Sequence, residues 1–133
     1  MAAPRPVHTL RIPIDALDLP HSRPVLSQDQ VWLANRFEED GINREGHPIP
    51  ALISSEALSE LLEVQARYVC GTFEFPVQVP CLHGQLCVAA VRSLLPLREQ
   101  WWTIDIYTQL TEKQRDTFIE GMFNVRLQQE DIY

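Results

Sequence analysis

Phe75-Pro-Val-Gln-Val-Pro-Cys-Leu-His-Gly-Gln-Leu-Cys-Val-Ala-Ala90 reads as an apolar strand that runs through His83-Gly84 into a helix. A strand, a glycine turn and a helix N-terminus in that order aim unpaired backbone N–H groups and the positive end of the helix dipole at one spot, a ready anion site. A site that holds phosphate well adds Arg or Lys to the turn, and here Gly84 is followed by Gln85, Leu86 and Cys87. The scaffold for an anion is present, and its charge is missing.

Outward from that turn the chain alternates β and α structure. Met1 to Pro6 reads as a loose tail. Val7 to Ile14 alternates as a first strand, with Pro13 placing it at an edge. Pro20 to Pro24 is a turn-rich connector, and Ser27 caps a helix whose stripe Val31, Leu33, Ala34 and Phe37 ends at Gly41. Ile49 to Ser54 is a short buried strand, and Ser54 or Ser55 caps a helix through Leu58, Leu61, Leu62 and Gln65. Beyond a connector containing Gly71 come the strand around Val77 and Val79 and the helix from Gly84, stopped before Pro96. Trp101 to Tyr107 is β-rich, and Thr111 opens a last helix through Phe118, Ile119 and Met122.

The 133 residues fit one domain, large enough to bury a core without staples. A hydrophobic fraction of 45% with 22% charged residues belongs to a folded chain, not to a disordered tail. The net charge of −7, without any run of Lys or Arg, argues against direct binding to nucleic acid or to an acidic membrane surface. No apolar run approaches the roughly 18 to 20 residues of a membrane span. Cys70, Cys81 and Cys87 form no CxxC pair, and His83 completes no zinc-ligand spacing, so no metal site is expected. Three cysteines without a signal peptide point to free thiols in a reducing compartment, nuclear or cytoplasmic.

Three local patterns within this order of elements resemble the N-terminal domain of the ParB/sulfiredoxin-like superfamily. Leu33-Ala-Asn-Arg-Phe-Glu-Glu-Asp-Gly-Ile42 followed by Pro48-Ile-Pro-Ala-Leu-Ile53 is similar to the ParB helix that ends in glycine and leads to a Pro-Ile strand. Gly84-Gln-Leu-Cys-Val-Ala-Ala90 sits where those proteins carry a Gly-x-Arg-Arg-x-x-Ala phosphate box, and Phe123-Asn-Val-Arg-Leu127 is placed like their Glu-Asn-x-x-Arg segment. Cys81-Leu-His-Gly84 and Trp101-Trp-Thr-x-Asp105 resemble more closely an uncharacterised fungal family of large proteins. The resemblance implies an α+β fold, a small mixed sheet covered by helices, with residues 7–133 as a single ParB-like domain in the N-terminal part of a longer protein.

Departures from the ParB pattern bear on function. Leu86 and Cys87 replace both box arginines, Phe123 replaces Glu, Leu127 replaces Arg, and Arg126 stands one residue out of register. Charge-assisted contacts to a nucleotide contribute about 1.5 to 3 kcal/mol each, so losing several weakens binding by orders of magnitude. The resemblance implies a nucleotide with Mg²⁺ as cofactor, at a degenerate site of His83, Gly84, Gln85, Asn124 and Arg126. Trp101 and Trp102 point to opposite faces of a strand, so one fills the core and the other is a candidate for binding a partner. Cys81 and Cys87 flank the turn but do not match a sulfiredoxin cysteine, and they read as buried and inert. Glu38-Glu39-Asp40 is a solvated helix end, and Asp105 faces solvent.

The expected function is a non-catalytic interaction or self-association domain, with a protein partner or a second copy. One alternative is a nucleotide switch or nucleotidase whose charge comes from Arg92, Arg126 or Arg44. Another is the regulatory domain of a DNA-associated factor.

Overall fold

The structure is a computed structural model and describes residues 4–21, 25–67, 75 and 77–120. Within them Trp101–Tyr107 forms the centre of a three-stranded sheet. His8–Pro13 (β1) runs antiparallel on one side of it, and Ile49–Leu52 (β3) runs parallel on the other. This central strand is β5. Its alternation settles the layering: Trp102, Ile104 and Ile106 are fully buried on one face, level with Ile12 on β1 and Ile49 and Ala51 on β3. Pro13 lies in β1 at the sheet edge, where a missing N–H costs no ladder bond.

The helices Ser27–Asp40 (α1), Ser55–Gln65 (α2) and Gln85–Leu94 (α3) cover that buried face. Leu33 and Phe37 of α1, Leu61 of α2 and Cys87, Val88, Ala90 and Val91 of α3 join the sheet in one core, and the Phe37 and Trp102 ring centroids are 5.9 Å apart. Glu112–Ile119 (α4) packs on the opposite face, where Phe118 meets Tyr107 at 5.0 Å. The fold is thus α+β, with a small mixed sheet between helices.

Local chemistry accounts for the helix ends. Gly41, at φ 82°, terminates α1 as its composition predicts. The Ser54 hydroxyl accepts from the Ala57 N–H, and Thr111 and Gln114 form a reciprocal capping box on α4. Ser27 is the first residue of α1 and not its cap, a position held by Leu26.

The stretch expected as a strand from Phe75 onward differs from that expectation. Among its described residues a strand spans just Val79–Pro80 (β4), and its partner is Leu17–Asp18 (β2), a strand with no sequence signature of its own. Cys81 N–H donates to the Asp18 carbonyl and Leu82 N–H to the Pro50 carbonyl, so the segment bridges β2 and β3 and reaches His83 only after that crossing. Pro76 and Pro80 limit the N–H donors a longer strand would need.

Candidate functional site

The expected anion turn exists, and its interior is occupied. Gly84 caps α3 at φ 122°, ψ 9°, a conformation that L side chains rarely adopt. A Cβ at Gly84 would stand 2.7 Å from both Cδ1 and Cγ1 of Ile49, so the first residue of β3 fills the space the glycine leaves. Positive φ and this contact each account for a glycine here without a ligand.

Of the two positions that would carry the arginines of a phosphate box, one is buried and the other partly buried. Cys87 is 2% exposed within the core, and Leu86 packs against it. His83 and Gln85 are partly exposed at the turn. Asn124 and Arg126 lie outside the described residues, as does Met122. Of the other arginines proposed to supply charge, Arg92 is in the last turn of α3, at the far end of the helix from Gly84, and pairs with Asp15 at 3.3 Å. Arg44 donates from Nε to the Trp101 carbonyl at 3.0 Å and from Nη2 to the Glu99 carbonyl at 2.9 Å.

Neither described thiol is poised as a nucleophile. Burial pushes Cys81 up to about 12, with the nearby Asp18 charge adding to the effect, and burial pushes Cys87 up further. A thiol held protonated is a poor nucleophile at neutral pH. Among the described residues no group of three or more His, Cys, Asp or Glu side chains could hold a metal.

The tryptophan pair separates as the strand period requires. Trp102 is fully buried and its Nε1–H donates to the His47 carbonyl at 2.8 Å, so it has no surface to offer a partner. Trp101 lies on the other face, partly exposed, with the Arg11 and Arg44 guanidiniums 4.7 Å and 3.9 Å from its ring centroid. Asp105, on the same face, accepts from the Thr9 hydroxyl at 2.7 Å, and partial burial raises its pKa against the lowering effect of that bond.

The sequence reading missed an open groove of about 840 Å³ at the C-terminal ends of β3 and β5, lined by Leu52–Ser54, Thr108–Thr111 and Gln114. The caps Ser54 and Thr111 were visible in the sequence. Their meeting in one groove follows from the parallel pairing of β3 with β5, which no local pattern announces. The lining carries no ionisable side chain, and both caps already accept hydrogen bonds from their own helices.

Fold and turn together define an α+β domain whose strand-to-helix turn is packed into its own core and carries neither an arginine nor a poised thiol. The family described as the N-terminal domain of a protein of unknown function, DUF3723, matches residues 7–124, and the chain belongs to it. No curated protein matches the sequence. Among solved structures, the chain is similar to a C-terminally truncated chromosome-partitioning protein ParB from Caulobacter crescentus, complexed with CTP-gamma-S, at 14% identity and a TM-score of 0.49. The match covers 91% of this chain and 53% of that one, so the chain spans about half of that protein's length. A likeness of that size bears on neither mechanism nor ligand. No helix among the described residues is long and apolar enough to cross a membrane.

Proposed function

We propose that the domain is a non-catalytic interaction module, working by self-association or through a protein partner, in which a ParB-like nucleotide turn is retained for packing. The observation that carries this reading is the full burial of Cys87, with the partly buried Leu86 packed against the core, at the two positions where a phosphate box needs arginines. An anion held by backbone N–H groups alone, without a guanidinium, forgoes the strongest contacts such sites use. The contact of Ile49 with Gly84 supplies the structural reason for the glycine. The reading extends to a module of a longer fungal protein, kept reduced in the nucleus or cytoplasm, where it acts directly or regulates a DNA-associated assembly.

The competing reading is a nucleotide switch, in which the backbone N–H groups at the Gly84 turn hold a phosphate. A thermal-shift panel with millimolar ATP, CTP, GTP and UTP plus Mg²⁺, run beside light scattering on the eluted protein, separates the two. A ligand at about 100 times its Kd adds about 2.7 kcal/mol and raises Tm by several degrees. The interaction reading expects no shift, together with an oligomer or a captured protein. A shift with one nucleotide that vanishes in His83→Ala would replace it with the switch.

A further inference from the structure

At the Trp101 end of the sheet face that carries α4, two guanidiniums lie on one tryptophan. Arg11 sits opposite Thr103 in the β1/β5 register, so Trp101 and Asp105 are its two diagonal neighbours on that face. Its guanidinium lies over Trp101 at 4.7 Å, and Asp105 is engaged instead by Thr9. Arg44 reaches the same ring from the segment between α1 and β3, its fork fixed by the carbonyls of Trp101 and Glu99. The exposed Arg98 precedes Glu99 in the chain. A chain of net charge −7 therefore places two guanidiniums on one partly exposed ring, with a third arginine close by in sequence.

An arginine laid flat on an indole keeps N–H groups at its rim available for a planar acceptor, and the ring holds its orientation before any partner arrives. We infer that this corner of the sheet docks an acidic protein segment, whose carboxylates take the Arg11 edge while its apolar atoms cover Trp101. A long polyanion fits less well, because beyond the patch it meets the field of a chain with excess negative charge, whereas a short segment of a few carboxylates meets the patch alone. The inference rests on the interaction reading above and gives it a surface and a partner chemistry.

The test is fluorescence anisotropy with a labelled ten-residue Glu/Gly peptide, its Lys/Gly counterpart and a ten-nucleotide single-stranded DNA, at low and at 300 mM salt. Arg11 is exposed, so Arg11→Gln and Arg11→Glu are expected to remain folded, losing the stacking on Trp101 and little else. The expected result is binding of the Glu peptide alone, weakened about tenfold by Arg11→Gln, further by Arg11→Glu, and by salt. Absence of Glu-peptide binding, binding indifferent to Arg11, or preference for the DNA would each overturn the inference. Those results leave the interaction reading standing if the domain still self-associates or captures a protein, whereas a nucleotide-dependent Tm shift removes that reading itself.

Discussion

Ile49 fills the space beside Gly84: a Cβ there would stand 2.7 Å from two carbons of the isoleucine side chain. The glycine that opens α3 is therefore a packing partner of β3. Gly84→Ala meets both this overlap and a backbone at φ 122°, and should cost about 2 to 4 kcal/mol in urea unfolding. Ile49→Ala opens a cavity and costs a similar amount alone, but the double variant should fall well short of the sum. Full additivity would show that the overlap contributes nothing and that the backbone conformation is the whole effect.

Restoring the box arginines should succeed at one position and fail at the other. Cys87 is 2% exposed and surrounded by apolar side chains, so Cys87→Arg buries an unpaired charge and should cost more than about 3 kcal/mol or prevent folding. Leu86 is only partly buried, and Leu86→Arg can extend its head to water, losing about 1 kcal/mol of packing. Circular dichroism melts of the two variants make the comparison. Equal stability of the two would contradict the inward placement of Cys87.

The two buried thiols set an alkaline limit to stability. Both are harder to ionise folded than unfolded, Cys81 at about 12 against 9.0. The unfolded chain therefore loses protons first as pH rises past 9, and stability present below 9 declines above it, by about 1.4 kcal/mol per unit for each thiol. Tyr107, raised to about 12 chiefly by burial, steepens the decline from pH 10 upward. Urea titrations at pH 8, 9 and 10 should show the onset, with Cys81→Ser shallower than the parent. At pH 8, mass spectrometry should find Cys81 and Cys87 unalkylated until denaturant is added.

Legibility in the sequence followed the range of the interaction. Helix ends specified by nearby residues were largely readable: Gly41 ends α1, Ser54 caps α2 and Thr111 opens α4 as expected, whereas Ser27 is the first residue of α1 and not its cap. So was the alternation of Trp101 and Trp102, which depends only on strand period. Pairing across the chain was not readable. Nothing near Leu17–Asp18 announces a strand, because its two residues are extended only through the partner Val79–Pro80, 62 residues away in sequence. The glycine and the helix it opens were readable at Gly84, the long strand before them was not, and whether the glycine faces a ligand or a neighbouring strand depends on where Ile49 lies. For the same reason the place of Arg11 at Trp101 became visible only with the register of β1 on β5, and that of Arg44 only with the path of the segment between α1 and β3.

Arg44 ties the segment between α1 and β3 to the start of the central strand, and its value lies in the planar fork more than in its charge. It donates to two carbonyls, of Trp101 and Glu99, while stacking on the indole. Arg44→Ala removes all of these and should cost about 2 to 3 kcal/mol. Arg44→Lys keeps the charge but cannot span both carbonyls from the plane of the ring, so it should recover less than half of that loss. Hydrogen exchange should then locate the damage, with faster exchange at His47 and at Gln100, whose N–H groups donate to the Arg44 and Leu97 carbonyls, and little change in α3. Full rescue by lysine would reduce the contact to simple charge and remove the geometric basis of the argument.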